Sequence, residues 1–242
     1  MSMQDCLAAT HALRKRHNSL TCTVVYIGDE APYARVDGTI RLDGEQQGVR
    51  LVADYELSIV VSEDFPASVP KVRLSDGAPA TYPHVDADGT LCLGVNGEIA
   101  MAMNNSAVPL IAFYDEVLLP NIYAIEYYRR YRVMPFGDRS HGSQGVLEFY
   151  REFFDVDDES AVCQLLRAAA FRSPYRRRGK CPCGSKLRAT RCHSNHIDQL
   201  RAYVDKSILM DDLALVANAA NITKIKSAKE SARLRLKGHR KT

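Results

Sequence analysis

Two clusters of residues in this chain have types and spacings that could do chemistry. The first is Tyr82-Pro83-His84-Val85-Asp86-Ala87-Asp88-Gly89-Thr90-Leu91-Cys92-Leu93. A proline, a hydrogen-bonding ring, a glycine turn and one cysteine between two leucines make a poor regular strand, but they can hold a thiol rigidly beside a polar partner. As a thiolate, Cys92 is a nucleophile that can take an acyl group as a thioester and pass it to an amine, splitting one difficult transfer into two easier ones. Each step passes through an oxyanion that needs a fixed donor about 3 Å away. The ring N–H of His84 can supply it, and the same ring can accept a proton from an attacking amine. A purely loop-stabilising role for His84 is equally compatible with the residues. The second cluster is Cys181-Pro182-Cys183-Gly184 through Cys192-His193. Three thiolates and an imidazole in this order make a closed tetrahedral zinc set with no open position for substrate, so the metal is expected to be structural.

The elements that must position the first cluster can be read in order. Met3 to His17 has helix-forming composition without a breaker. Strands are expected at Leu20 to Ile27, Tyr33 to Leu42 and Val49 to Val61, with turns at Gly28-Asp29, Asp43-Gly44 and the polar run before Gly48. Lys71 to Leu74 is a fourth, short strand, and consecutive strands joined by short turns imply an antiparallel meander. Beyond Cys92, Ser106 can cap a helix from near Ala107 to Leu119, with Pro120 kinking or ending it. A helix is expected from Ile122 to Arg132, and then a polar loop containing Ser140-His141-Gly142. Val146, Phe149, Tyr150 and Phe153 follow at helical spacing.

This order, with Phe65-Pro66-Ala67-Ser68-Val69-Pro70 leading into the fourth strand and the cysteine following a Tyr-Pro-His triplet, resembles the ubiquitin-conjugating enzymes over roughly residues 1–155. There a His-Pro-Asn triplet precedes the acceptor cysteine. The present chain places Tyr82 and His84 at the two polar positions and contains no tryptophan. The aromatic helix after the Ser-His-Gly loop is similar to bacterial relatives of that family, the stand-alone conjugating enzymes of CBASS antiphage operons among them. The resemblance implies an α+β, ubiquitin-conjugating-enzyme-like fold of an N-terminal helix, a four-stranded antiparallel meander and C-terminal helices. It also implies catalysis by Cys92, oxyanion stabilisation at His84, loop-pinning at Tyr82, and a place for His141 near the site. The implied partner is a protein joined through its C-terminus, a cyclic-nucleotide synthase in the CBASS case. Whether an activating enzyme loads the thiol stays open.

The second cluster resembles the SEC-C motif, a small zinc knuckle, departing from it at Lys186, where glycine is usual, and at Ala189, where an aromatic is usual. The expected division is therefore a catalytic domain at 1–155, a helix and basic linker at 156–178, the knuckle at 179–196, and a helix and basic tail at 197–242. Ala161 to Phe171 and a stretch within 195–220 bearing Ile197, Leu200, Tyr203 and Val204 are the helices of the C-terminal part. His196 is a spare imidazole beside the ligand pair, and Cys6, Cys22 and Cys163 are expected to pack.

The 242-residue chain is long enough for a core and ordinary in composition. Seven cysteines without a signal-like opening segment, and no uninterrupted apolar run of spanning length, imply a cytoplasmic protein with no membrane partner. Residues 1–170 carry 14 basic and 24 acidic side chains, a balance of −10, whereas residues 171–242 carry 18 and 5, a balance of +13. Arg176, Arg177, Arg178, Arg188 and Arg191 around the zinc set could meet nucleic acid or an acidic protein face. Protein is favoured because no aromatic residues interleave for base stacking. Two other functions fit the residues: an inactive conjugating-enzyme-like binding module, and a zinc-dependent nucleic-acid binder.

Overall fold

The computed structural model describes residues 3–28, 31–137, 140–171 and 175–220, with side chains from residue 7 onward. It divides into two compact units, residues 1–138 with 203–205, and residues 139–202 with 206–242.

The first unit is α+β. Helix α1 (Met3–Arg16) precedes strands β1 (Thr21–Val25), β2 (Tyr33–Gln46), β3 (Val49–Ser62) and β4 (Lys71–Leu74), which pair antiparallel in sequence order. The expected helix and four strands are all present. β2 runs four residues past the expected end, because Asp43 and Gly44 lie within the ladder opposite Val52 and Leu51. Asp43 instead holds Arg50 across the strands at 2.8 Å. The hairpin turns at Gln47-Gly48, both with positive φ (50° and 78°), as a two-residue turn between twisted strands requires. Ala34, Val36, Ile40 and Leu42 on β2 and Leu51, Tyr55, Leu57, Ile59 and Val61 on β3 are buried at a period of two, so one face of the sheet forms the core. Gly38 lets the chain before β1 approach closely: a Cβ there would stand 2.3 Å from the carbonyl oxygen of Ser19.

The helices covering this face differ from the expectation. Helix α2 (Asn96–Asn104) follows the Cys92 segment directly and has no counterpart among the expected elements; Gly97 in its first turn and the absence of a capping side chain at Val95 conceal it. Ser106 does not cap a helix at Ala107. Its hydroxyl accepts from the Val108 N–H at 3.2 Å, and helix α3 (Pro109–Ala112) begins after that turn. Nor does Pro120 end the helix. A π-helical segment (Phe113–Leu118) leads into α4 (Leu119–Tyr131), with the Leu119 N–H reaching back five residues to Tyr114, so Pro120 enters in the first turn of α4, where its missing N–H is tolerated. Ile99, Met103, Leu110, Phe113, Leu118 and Ile122 pack on the sheet.

The second unit contains α5 (Gly142–Phe154), α6 (Glu159–Ala170), α7 (Ser194–Tyr203) and a helix over residues 206–220. The expected helix at 195–220 is thus interrupted at Val204-Asp205. Asp158 caps α6, its carboxylate accepting from the Ala161 N–H at 2.7 Å. α5 falls in this unit rather than with residues 1–138: Val146, Leu147, Phe149, Tyr150 and Phe154 are buried, as are Val162, Leu165 and Leu166 of α6. Among the described residues no helix is long and apolar enough to cross a membrane. Cys6, residues Ser173-Pro174 of the basic linker and the tail from Thr223 lie outside the described side chains or residues.

Candidate functional site

The Cys92 segment is a two-stranded ribbon closed by a turn. The Asp86 N–H donates to the Thr90 carbonyl at 2.8 Å, and the Cys92 N–H donates to the His84 carbonyl at 3.0 Å, with Val85 and Leu91 bridging antiparallel between them. This register makes His84 and Cys92 direct cross-strand partners, so both side chains leave the ribbon on the same face with Cβ atoms about 5 Å apart. Leu91 and Val85, on the other face, pack into the core, which turns His84 and Cys92 outward; each is half-buried.

Four devices hold this ribbon. Gly89 takes the positive φ (85°) of the turn, and its N–H donates to Asp86 at 2.9 Å. The Asp88 carboxylate accepts from the Thr90 N–H at 2.9 Å and from Arg73 of β4 at 2.5 Å. These bonds, the backbone N–H and hydroxyl of Thr90 first and the Arg73 guanidinium after them, pull the Asp88 carboxyl down to about 2. The Leu91 N–H donates to Val72 of β4 at 2.8 Å, tying the ribbon to the sheet edge. Tyr82 is buried in the core, its ring edge-on to His84 (centroids 5.7 Å apart) and to Tyr128 (5.4 Å). It therefore pins the loop through packing, and it backs the His84 ring.

Beyond the cysteine, Asn121 does what the sequence did not announce. Its carboxamide donates to Leu93, the residue after Cys92, at 3.1 Å, and to Val117 at 2.9 Å. The Val117 carbonyl lies at the π-to-α junction, so the irregular helix and the cysteine loop share one side chain. Gly94 (φ 134°) then swings the chain into α2. The detectable signal was an asparagine one residue after a proline in an otherwise apolar and aromatic helix.

His141 lies in the second unit. It is the exposed N-cap residue of α5, and its side chain makes no capping bond. Cys22 receives a hydrogen bond from the Thr10 hydroxyl at 3.3 Å and packs against the core; Cys163 is half-buried in α6.

The second cluster is also assembled. One ligand atom from each of Cys181, Cys183, Cys192 and His193 lies within 4.8 Å of the others. His193 Nδ1 is 3.4 Å from Cys181 Sγ and 3.1 Å from Cys192 Sγ, and Cys183 Sγ is 3.5 Å from Cys192 Sγ. The chain achieves this with a tight turn. Gly184 has φ 83°, and the Cys181 N–H donates to Leu187 at 2.8 Å. Lys186 holds φ 63° and so occupies the left-handed region with a side chain.

His193 Nε2 stands 2.9 Å from the carbonyl of Phe154, the last residue of α5. A proton on Nε2 donated to that carbonyl leaves Nδ1 as the lone-pair nitrogen facing the three sulfurs, the arrangement that orients metal-binding imidazoles. Burial pushes the Cys181 thiol up to about 12. At Cys183, burial opposes ionisation, but the Ser185 hydroxyl and backbone N–H, together with the neighbouring thiols, bring it down to about 6. A buried thiol packed against two others and an imidazole nitrogen is a donor set that fits a cation able to replace its proton. The cluster can therefore hold a metal ion. His196 is not among the four; its Nδ1 is buried without a hydrogen-bond partner among the described residues.

No protein-family model matches the chain, and no curated protein matches it. Among solved structures it is similar to the yeast vps23 UEV domain, whose crystal structure is in complex with a vps27 PSDP peptide. The identity is 19% and the TM-score 0.28, over 38% of this chain and 65% of that one, which is less than two thirds of its length. This is a weak and partial likeness to a ubiquitin-conjugating-enzyme variant.

Proposed function

We propose that the first unit is a ubiquitin-conjugating-like cysteine acyltransferase with Cys92 as its nucleophile. The observation that carries this reading is the register of the ribbon, which sets His84 directly across from Cys92 on an outward face. In the first step the Cys92 thiolate attacks the C-terminal carbonyl of a partner protein held as a thioester on an activating enzyme. The new S–C bond forms, the old one breaks, and the activating enzyme's cysteine leaves as thiolate. In the second step a lysine ε-amine attacks, the C–N bond forms, Cys92 leaves as thiolate, and the amine proton passes to His84 or water. In both steps a His84 N–H stabilises the oxyanion, and Asn121 and Asp88 keep the ribbon in register. The motif order and the Tyr-Pro-His triplet support this assignment. The likeness to CBASS conjugating enzymes supports a cyclic-nucleotide synthase as the protein carried.

For the second unit we propose zinc as the metal, held by Cys181, Cys183, Cys192 and His193. Thiolate and imidazole donors suit it, four protein ligands close the site, and its contribution is to the fold.

The test is to incubate the protein with ATP, an activating enzyme and the candidate carrier, and to resolve the products without reductant. A reductant-labile adduct is expected, absent in Cys92→Ala and replaced in Cys92→Ser by a hydroxide-sensitive ester. If Cys92→Ala leaves conjugation intact, the proposal fails. If no adduct forms on a correctly folded protein with any carrier encoded beside it, the first unit is a binding module instead.

A further inference from the structure

The second unit contains a cavity that the proposed acyl transfer does not use. It encloses about 460 Å³ and is lined by Gln164, Arg167 and Phe171 from the end of α6 and by Tyr175, Arg176 and Lys180 from the turn that leads to Cys181. Arg167, Arg176 and Lys180 are exposed, and none has a carboxylate partner among the described residues. No acidic residue appears among the described residues of the lining. Asp198, whose charge acts on Tyr175, is occupied by Arg177 at 2.9 Å.

The end of a helix is ordinarily electronegative, but here that polarity is cancelled. The Arg201 guanidinium donates to Ala168 at 2.6 Å, Phe171 at 3.0 Å and Ala169 at 3.3 Å. It also lies 4.9 Å from the Tyr175 ring centroid, and Lys206 Nζ lies 5.6 Å from that of Phe171. The two aromatic walls are thus each backed by a cation. The Tyr175 hydroxyl is buried and meets no hydrogen-bond partner among the described residues.

We propose that this cavity binds a small phosphate monoester with a flat aromatic part, of mononucleotide size. Three cations without a carboxylate partner among the described residues suit a doubly charged phosphate, and the arginine forks match its oxygens. The rings of Phe171 and Tyr175 suit a flat apolar moiety, and the volume lies in the ordinary range for small-molecule sites. The site depends on the neighbouring metal loop. The Gly179 N–H donates to Arg176 at 2.8 Å and the Ala189 N–H to Gly179 at 2.9 Å, so the fold of the metal loop sets where Arg176 and Lys180 stand.

The experiment is calorimetric titration of the metal-loaded full chain with AMP, with adenosine and inorganic phosphate as separate probes. AMP is expected to bind in the micromolar range, with adenosine and phosphate each weaker by about tenfold or more. Combining Arg167→Gln with Arg176→Gln should weaken AMP by about tenfold or more while leaving metal content and melting unchanged. Arg41→Gln on β2 should change nothing. No binding of AMP at millimolar concentration overturns the proposal. So does AMP affinity untouched by the double substitution, or adenosine binding as tightly as AMP. None of these outcomes bears on the Cys92 adduct.

Discussion

Two short turns in this molecule present cysteines, and they hold them by opposite means. At residues 84–92 the backbone does the positioning: a ladder register, a carboxylate clamp and a core-packed tyrosine fix a ribbon from which one thiol projects. At residues 181–193 four side chains converge within 4.8 Å. Their geometry makes sense as a finished structure when an ion is among them. Under the proposed function the same functional group is a reagent in one place and a fastener in the other. What separates them is the number of neighbouring donors. A single thiol facing a histidine keeps an open side for a substrate, whereas three thiols and an imidazole leave none.

The sharpest way to break this contrast is to remove the metal. Chelation at neutral pH should abolish protection from hydrogen exchange at the Cys181, Ala189 and Cys192 amides, since structural zinc sites contribute on the order of 10 kcal/mol to the folding of small modules. Protection at the Leu91 and Cys92 amides, which donate to Val72 and His84, should survive. If the loop at 181–193 keeps its protection without metal, the two turns are held alike and the distinction collapses.

Next in size are substitutions in the ribbon. Tyr82→Ala should cost about 3 kcal/mol or more in urea unfolding, because it empties an aromatic site in the core. Cys92→Ala, at a half-buried position, should stay within about 1 kcal/mol while eliminating the thioester. Replacing His84 separates its two roles. His84→Ala should lower the transfer rate by about 10²-fold with stability little changed, and His84→Asn should restore most of it, because an amide donates from nearly the same place. A stability loss without a rate effect would make His84 a packing residue, leaving Tyr82 its neighbour and nothing more.

How much of this was legible in the sequence depends on the range of the interaction. Alternation on β2 and β3, the Gly89 turn and the Cys-x-Cys…Cys-His spacing are local, and their elements stand where expected. The pairing of His84 with Cys92 was also available, since a turn centred on Asp88 makes those two positions mates. The misread places share a different physics. Asp43-Gly44 resembles a turn, but the ladder and the Arg50 ion pair override local propensity. Pro120 resembles a helix end, but a π-helical segment admits it. The Asn121 bond to Leu93 and the Phe154 carbonyl that orients His193 join residues 28 and 39 positions apart. Such contacts leave no periodic trace.

A smaller effect sharpens the fastener side. Lys186 pays for a left-handed backbone with a side chain at a position where glycine is the natural choice. Lys186→Gly should raise the melting temperature modestly, because relief of about 1 kcal/mol of backbone strain exceeds the added unfolded-state entropy of glycine only slightly. Gly184→Ala should do the opposite and weaken metal affinity, since its φ of 83° lies within the same tight loop. Equal behaviour of the two variants would mean that the loop is not limited by its backbone.

The smallest effect belongs to the ribbon's clamp. Asp88 has its carboxyl at about 2, below the ordinary 3.8, because the Thr90 N–H and hydroxyl and then Arg73 favour the ionised form. A carboxyl lowered by folding stabilises the fold when ionised. Its contribution is complete above pH 3.8 and disappears as the pH falls from there through about 2. The side chain is exposed, so solvent and salt screen the gain, and the change is best read locally. Carboxyl NMR should show Asp88 titrating near 2, and Arg73→Gln and Thr90→Val should each move that midpoint upward while leaving it below the ordinary 3.8, because the Thr90 backbone N–H, the largest cause, remains in both. Arg73→Gln should also slow thioester transfer slightly, through a looser register between His84 and Cys92. A midpoint at the ordinary carboxylate value would show that the turn is open in solution, and a ribbon open at that end could not hold a thiol against a histidine without help from the substrate.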